Sequence, residues 1–440
     1  MEKLCIIGDI IVDVSLGDKN SALKMRLGGI IHCARALWAS GTEYSLAYFA
    51  PKYLKSHIEI FLKELGDPEL IYLGEVESSP YVMLINEVKE IGDQGYEFLL
   101  RENLKISYNE GLFNELDKFS EILIISGSYD LQKVLNLLSL DCQISIDFAN
   151  NIDKLEEISG KHIYETIFIS TSSNYFKNYY KNTGLFEILD FFNDLKPVTK
   201  KVVLKENRGG SRALEFSAGQ LIYIPSQTQP INHSVGVGDV YNSIFLNQSK
   251  KFSFEESLNY ASWIATEYAL TTFPEDFKRM TQRTLKSPIQ DLMALGGLKL
   301  PWEKRSEINI YIAAPDFDFE DTSLIDLLDN NLKYHNFCPR RPIKENGQME
   351  KDASSNRKNE LFHNDMVLLN QCKILIAVLL YNDPGTLIEI GLAVERGIPT
   401  LVYDPYKIAT NCMLTQIPDL LSSSLDEIIC KTFEVSQKII

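Results

Sequence analysis

Short apolar runs recur along the first half of the chain: LCIIGDIIVDV, YSLAYFA, SEILIISG, QISIDFA, ETIFIS, KVVLK and LIYIPS. Runs of this kind, rich in Ile, Val and aromatic residues, predict strands buried inside a sheet. Between several of them lie stretches with helical or turn-rich patterning, such as HCARALWASG and SHIEIFLKELG. The alternation predicts an α/β fold, a largely parallel sheet with helices on its faces. YVMLINE and GYEFLLREN break that texture, because polar and apolar positions alternate in them over a short span. They predict a small antiparallel sheet that covers a site.

After GVGDVYNSIFLNQ the pattern predicts two helices, FSFEESLNYASWIATEYALTT and the shorter DFKRMTQRTL. SPIQDLMALGGLKLPWEKRSE then mixes Pro, Gly and charge, which marks a domain boundary. The expected organisation is a first domain over 1–280, a linker over 281–306 and a second domain over 307–440. In the second domain a strand (INIYIAAP) precedes a helix (TSLIDLLDNN) and a polar loop (CPRRPIKENGQMEKDASSNRKNE). A helix, a strand (ILIAVLLY), a helix (TLIEIGLAVERG) and a strand (PTLVY) follow. The long polar loop, near strand ends, is placed to act as a ligand lid.

A chain of 440 residues allows two or three domains with their own cores. Hydrophobic residues at 45% and charged residues at 24% describe an ordinary folded protein. A formal charge of -16 argues against a nonspecific nucleic-acid surface, which needs dense Lys and Arg. The N-terminal apolar run is broken by Asp9 and Asp13, so it reads as a first strand rather than a signal peptide, and no run is long enough to span a membrane. Seven scattered cysteines fit neither a disulfide framework nor zinc spacing and point to the reducing cytoplasm. The six histidines form no tight ligand set, so no metal site is expected.

The clearest local chemistry lies in ILIAVLLYNDPGTLIEIGLAVERG. An apolar strand ends at Tyr381, a turn carries Asp383, and Glu389 sits in the apolar start of the next helix. Ligands of open α/β sheets bind at such strand ends, near helix N-termini. Taken one at a time, Asp383 reads as a helix cap and Glu389 as a surface residue; Asp365, Tyr311 and Asp316 read as a cap, a core aromatic and a turn residue. Together the positions resemble the nucleoside 2-deoxyribosyltransferases: a first strand with Tyr311 in NIYIAAP, an Asp-bearing helix start with Asp365 in FHNDMVLLNQ, and Asp383 and Glu389 in DPGTLIEIG. The resemblance implies that Glu389 attacks the sugar C1′ carbon, Tyr311 orients it, Asp365 contacts the base or assists its departure, and Asp383 holds sugar hydroxyls. It also implies a sugar-side role for Asn411 in ATNCML and association into a homo-oligomer. An ionised carboxylate suits the attack, since it can trap an oxocarbenium-like centre as a glycosyl ester. Arg340 and Arg341 in CPRRPIKENG are able to hold a phosphate, which would extend the substrate to a 5′-monophosphate, or are solvated loop residues.

In the first domain, Gly236 and Gly238 of HSVGVGDVYNS permit a tight turn whose amides could surround an anion, with Asp239 at its mouth. The domain resembles the ribokinase-like, or PfkB, carbohydrate and nucleoside kinases. The resemblance rests on Asp13 in IIGDIIVDVS, Gly28 and Gly29 in LGGIIHCARALWASG, Asp147 and Asn150 in SIDFANN, and Gly236, Gly238 and Asp239. It implies a ribokinase-like α/β domain with a small β lid and a sugar site at Asp13, Gly28, Gly29 and His32. It also implies a nucleotide site at Gly236, Val237, Gly238 and Asn207, a catalytic base at Asp239, and ATP with Mg2+ as cofactors. The sequence departs from the pattern at His32, where the family often has Asn, at IFISTSSNYF, which replaces an Asn-x-x-Glu motif, at His233 and at Asn207.

The expected protein is thus a two-domain cytoplasmic enzyme with nucleoside, nucleotide or sugar partners. A flavodoxin-like parallel-sheet C-terminal domain would cleave or exchange an N-glycosidic bond without a cofactor. The N-terminal domain would be an active or remodelled kinase. The alternatives are an ATP-dependent kinase with a nucleotide-sensing C-terminal domain, and a non-catalytic binding or assembly protein.

Overall fold

All six residues of strand Leu4–Asp9 are buried, the apolar Leu4–Ile7 as a run inside a parallel sheet must be and Asp9 at the strand's end. The computed structural model describes residues 3–16, 23–149, 152–184 and 187–440. They divide into a first unit of Met1–Glu90, Gln94–Gln227 and Ile231–Lys299, and a second of Ile91–Asp93, Thr228–Pro230 and Leu300–Ile440.

The first unit is built on a ten-stranded sheet. In spatial order its strands are Leu221–Ile224, Ser211–Glu215, Thr199–Lys205, Tyr164–Ser170, Gln143–Asp147, Glu121–Ile125, Leu4–Asp9, Tyr44–Ala50, Glu69–Glu77 and Lys105–Tyr108. The interior pairs from Thr199–Lys205 to Glu69–Glu77 are parallel, and the edges are antiparallel. Leu4, Ile6 and Leu46 of the sheet share a core with Ile31 and Leu37 of helix Ile31–Ala39 and with Ile244 and Phe245 of helix Val237–Gln248. Helix Phe254–Ala269 opens with a reciprocal cap: the Ser253 hydroxyl accepts from Glu256 N, and the Glu256 carboxylate accepts from Ser253 N.

LCIIGDIIVDV, expected as one strand, is two. Ile10 N donates to Phe49 O in the large sheet and Val12 N donates to Tyr81 O, so the chain changes sheets across Ile11. Strand Val12–Ser15 belongs to a four-stranded sheet ordered Lys24–Leu27, Val12–Ser15, Val82–Ile85 and Tyr96–Phe98. Its last two strands lie in YVMLINE and GYEFLLREN and pair antiparallel, with Met83 opposite Phe98.

The second unit has an all-parallel sheet ordered Cys338–Arg340, Asn309–Ala313, Ile374–Val378, Thr400–Tyr403 and Leu420–Ser422. Numbered within the unit, that order is 2-1-3-4-5, so the progression of strands across the sheet reverses at Asn309–Ala313, between Cys338–Arg340 and Ile374–Val378. Tyr311, Leu375, Val402, Leu369 and Ile390 form its core. The expected polar loop is largely ordered: it holds strand Cys338–Arg340, helix Pro342–Asn346 and the start of helix Ser355–Gln371, which Ser354 caps by accepting from Arg357 N. The segment 281–306, read as a linker, carries the end of helix Pro274–Lys286 and helices Ile289–Ala294 and Trp302–Arg305.

Candidate functional site

In the second unit, Tyr311 sits on strand Asn309–Ala313 with no exposed surface, and its hydroxyl donates to Glu389 Oε1 at 2.6 Å. Glu389 lies in helix Pro384–Glu395, whose N-terminus follows the end of strand Ile374–Val378. Asp383 caps that helix: its Oδ2 accepts from Thr386 N at 2.7 Å and from Thr386 Oγ1 at 2.9 Å. No hydrogen bond among the described residues falls on Oδ1. The capping role is therefore real and engages one of the two carboxylate oxygens.

Burial pushes the Glu389 carboxyl up to about 7, with the charges of Asp365 and Asp383 adding to the rise and the Tyr311 bond opposing it. The same burial, with Glu389 and Asp365 nearby, holds the Tyr311 phenol protonated far above its ordinary range. Tyr311, Asp365 and Asp383 thus all act on the Glu389 carboxyl, which brings the four residues named from the sequence to one place. Asp365 is not at a helix start as expected but well inside Ser355–Gln371, because Ser354 captures the N-terminus earlier. Its carboxyl is raised by burial and drawn down by Asn346, whose Nδ2 donates to Asp365 Oδ1 at 2.8 Å.

Arg340 and Arg341 are engaged by carboxylates of this chain. Arg340 donates from Nε and Nη2 to Glu345 at 2.8 and 2.5 Å. Arg341 grips both oxygens of Asp316 at 2.8 and 2.6 Å and reaches Asp326 at 2.6 Å. Asn411 caps the short helix Cys412–Gln416, accepting from Met413 N at 2.9 Å.

In the first unit, Asp13 and His32 are both buried and meet at 3.1 Å through Nε2. His32 Nδ1 lies 2.7 Å from the Tyr268 hydroxyl, to which Arg35 Nη1 donates at 3.2 Å. Burial lowers the His32 pKa to about 4 against the pull of Asp13, so the ring is neutral. The Tyr268 hydroxyl then donates to Nδ1, and Nε2–H donates to Asp13. Two glycines are fitted to this cluster. A Cβ on Gly28 would fall 2.2 Å from the Asp13 carboxylate, and one on Gly236, at φ 77°, would fall 2.1 Å from the His32 ring. Gly29 instead backs onto Asp9, with a Cβ 2.0 Å from Asp9 O.

Val237, Gly238, Asp239 and Asn207 line a cavity of about 340 Å³ together with Asp147 and Lys205. Burial and the carboxylates of Asp147 and Asp13 raise Asp239 to about 7 against the Lys205 ammonium. Asn207 adopts a left-handed conformation at φ 53°, and its Oδ1 accepts from Thr171 at 3.4 Å. Asn150 lies outside the described residues. Lys205, Asn242 and Asn346 were not singled out in the sequence, although Lys205 ends the strand KVVLK, where ligand-facing residues of a parallel sheet are sought.

Residues 310–417 match the family model described as nucleoside 2-deoxyribosyltransferase. No curated protein matches the chain. Over 65% of its length the chain is similar to ribokinase from Thermotoga maritima, at 12% identity with 100% of that chain covered and a TM-score of 0.48. It is similar over the same share to phosphofructokinase-2 from Escherichia coli in complex with substrates and products, at 14% identity, 100% coverage and a TM-score of 0.49. The nucleoside kinase of Methanocaldococcus jannaschii, an archaeal member of the ribokinase family, is 17% identical over 65% of this chain and 99% of its own, with a TM-score of 0.46. The chain joins an N-terminal α/β unit to a C-terminal unit whose residues 310–417 match the nucleoside 2-deoxyribosyltransferase family model.

Proposed function

We propose that the second unit cleaves or exchanges the N-glycosidic bond of a nucleoside or nucleotide through Glu389. The observation that carries this reading is the 2.6 Å bond from the Tyr311 hydroxyl to Glu389 Oε1, with Asp365 and Asp383 close enough to shift the carboxyl. Tyr311 fixes one carboxylate oxygen and leaves Oε2 to attack C1′ as the bond to the base breaks. Asp365, whose carboxyl is raised, supplies a proton to the departing base. Asp383 offers Oδ1 to a sugar hydroxyl. Attack on the resulting glycosyl ester by water gives hydrolysis, and attack by a second base gives transfer; two displacements retain the configuration at C1′. The 2-1-3-4-5 order supports a flavodoxin-like fold for this unit, with the site at its switch point.

The full chain, incubated with deoxynucleosides and their monophosphates with and without an acceptor base and separated by chromatography, tests this reading. Free base without acceptor indicates hydrolysis, and exchange only with acceptor indicates transfer. Full activity in Glu389→Ala would overturn the assignment.

Asp239 favours a second, additional reading for the first unit, phosphoryl transfer from ATP to a sugar or nucleoside hydroxyl. A carboxyl raised to about 7 beside the N-terminus of helix Val237–Gln248 suits a base that takes the hydroxyl proton. The residues do not fit a divalent ion held by the protein. Among the described residues no group of three or more His, Cys, Asp or Glu side chains is arranged to hold a metal, and the Asp147 carboxylate already carries Lys205 Nζ at 2.6 Å. ADP formation from ATP that depends on an added sugar or nucleoside tests this reading, and its absence across the candidate acceptors would sink it. All seven cysteines are free thiols, which supports a cytoplasmic setting. Among the described residues no helix is long and apolar enough to cross a membrane. The homo-oligomer implied by the family is checked by sedimentation of the full chain.

A further inference from the structure

In the proposed reaction the proton that Asp365 gives to the departing base sits on one of two carboxyl oxygens, and a neighbouring element selects which. Asn346 Nδ2 donates to Asp365 Oδ1 at 2.8 Å. No hydrogen bond among the described residues falls on Oδ2. In a carboxylic acid the oxygen that accepts an N–H is the carbonyl one, so the proton belongs on Oδ2.

Asn346 is held for this task from both sides. It is the last residue of helix Pro342–Asn346, which Gly347 closes at φ 93° with its N donating to Ile343 O. Arg357 Nη2 donates to the Asn346 carbonyl at 3.4 Å. Arg357 and Asp365 both belong to helix Ser355–Gln371, so one helix holds Asn346 by main chain and by side chain. The residue before it, Glu345, is gripped by Arg340 at 2.8 and 2.5 Å, and Arg340 lies opposite Tyr311 in the sheet register. Arg340, a candidate phosphate holder in the sequence, thus fixes the short helix that delivers an amide to Asp365, beside the tyrosine that bonds Glu389.

We propose that Asn346 is a positioning residue for N-glycosidic cleavage. Its amide occupies Oδ1 and keeps the Asp365 proton on Oδ2, from which the proton passes to the base nitrogen as its bond to C1′ breaks and Glu389 Oε2 closes on that carbon. This role rests on the Glu389 reading and adds to it the residue that orients the acid. The amide also favours the ionised carboxyl and so opposes the burial that raises Asp365. The titratable groups that share the site's electrostatics with Asp365 are Glu389 and the Tyr311 phenol.

The test follows base release by the full chain across pH, from the four common deoxynucleosides and their 5′-monophosphates. Asn346→Ala removes the donor, Asp365 keeps its proton to higher pH, and the pH optimum moves up. Asn346→Asp keeps the size, replaces the donor with a second carboxyl and moves the optimum up as well, so it decides the matter if the alanine variant does not fold. Thermal melts read the same bond without turnover. The Tm deficit of Asn346→Ala should be larger at pH 8 than at pH 4, because the lost amide serves the ionised form, and in an Asp365→Asn background it should be the same at both. An optimum that stays at the wild-type pH in both variants while base is still released, or a Tm deficit equal at the two pH values, would overturn the positioning role and leave Glu389 in place. No base release by the wild-type chain would overturn the Glu389 reading, and the positioning role with it.

Discussion

Tyr311 and Glu389 lie 78 positions apart in the chain and meet at 2.6 Å, one from a buried strand and the other from a helix that starts at the end of the adjacent strand. The bond stabilises the ionised carboxylate in a place where burial and two further acids oppose ionisation. Tyr311→Phe removes the donor and keeps the ring. Base release at pH 7 should fall about 10- to 100-fold, the kinetic equivalent of losing one hydrogen bond to a charged group. A variant with unchanged rate and an unchanged pH profile would show that Tyr311 only fills space.

The pH dependence has a definite sign. In the proposed reaction Glu389 must be ionised to attack, and burial raises its carboxyl to about 7. The rate of base release should climb about tenfold per pH unit at low pH, where Glu389 is gaining its charge and Asp365 still carries the proton it gives to the base, and should fall again once both carboxyls are ionised. Initial rates across a buffered series measure this, and a rate that does not change with pH would contradict it.

Stability carries the opposite sign at the same residue. The unfolded carboxyl titrates near its ordinary 4.5 and the folded one near 7, so between these values the folded state binds more protons. Unfolding free energy therefore falls as pH rises from about 4.5 to 7, and the penalty is complete above that. Glu389→Gln should raise Tm at pH 8 and leave it unchanged at pH 4. Thermal melts at the two pH values decide the matter.

Arg341 is 10% exposed and grips Asp316, itself buried, by both oxygens. Arg341→Met should cost about 3–5 kcal/mol, because Asp316 is left charged and unpaired. Denaturant unfolding of the single variant and of Arg341→Met/Asp316→Asn tests this, with the double variant recovering part of the loss. Equal stability of Arg341→Met and wild type would show that the pair contributes nothing.

Gly236→Ala places a side chain at φ 77° and 2.1 Å from the His32 ring. The left-handed conformation alone costs about 1–2 kcal/mol, and the overlap with a buried ring adds to it. A clear loss of Tm is expected, and an unchanged melt would mean that the turn relaxes freely.

The sequence exposed what depends on continuous patterns. Fully buried runs such as YSLAYFA and ILIAV read as parallel strands because nearly every position is apolar, Ser45 being the exception, and they are. It concealed what depends on geometry across the chain. Nothing in IIGDIIVDVS marks the exchange of sheets at Ile11, since both halves are equally apolar and only their hydrogen-bond partners differ. The long polar stretch hid helix Pro342–Asn346 and the first turns of Ser355–Gln371, whose exposed faces carry the charges that make the segment look like loop. The partners of Arg340 and Arg341 were equally hidden, because Asp316 and Asp326 reach Arg341 from elements that precede it.

The exchange of sheets at Ile11 ties two quantities that usually vary separately. Asp13 is two residues beyond that crossing, on a strand of the four-stranded sheet, while the His32 that bonds it belongs to a helix packed on the ten-stranded sheet. Any displacement of the small sheet moves the carboxylate against its imidazole partner. Seating of that sheet and the Asp13–His32 bond are therefore one linked equilibrium, in which each stabilises the other by the same amount.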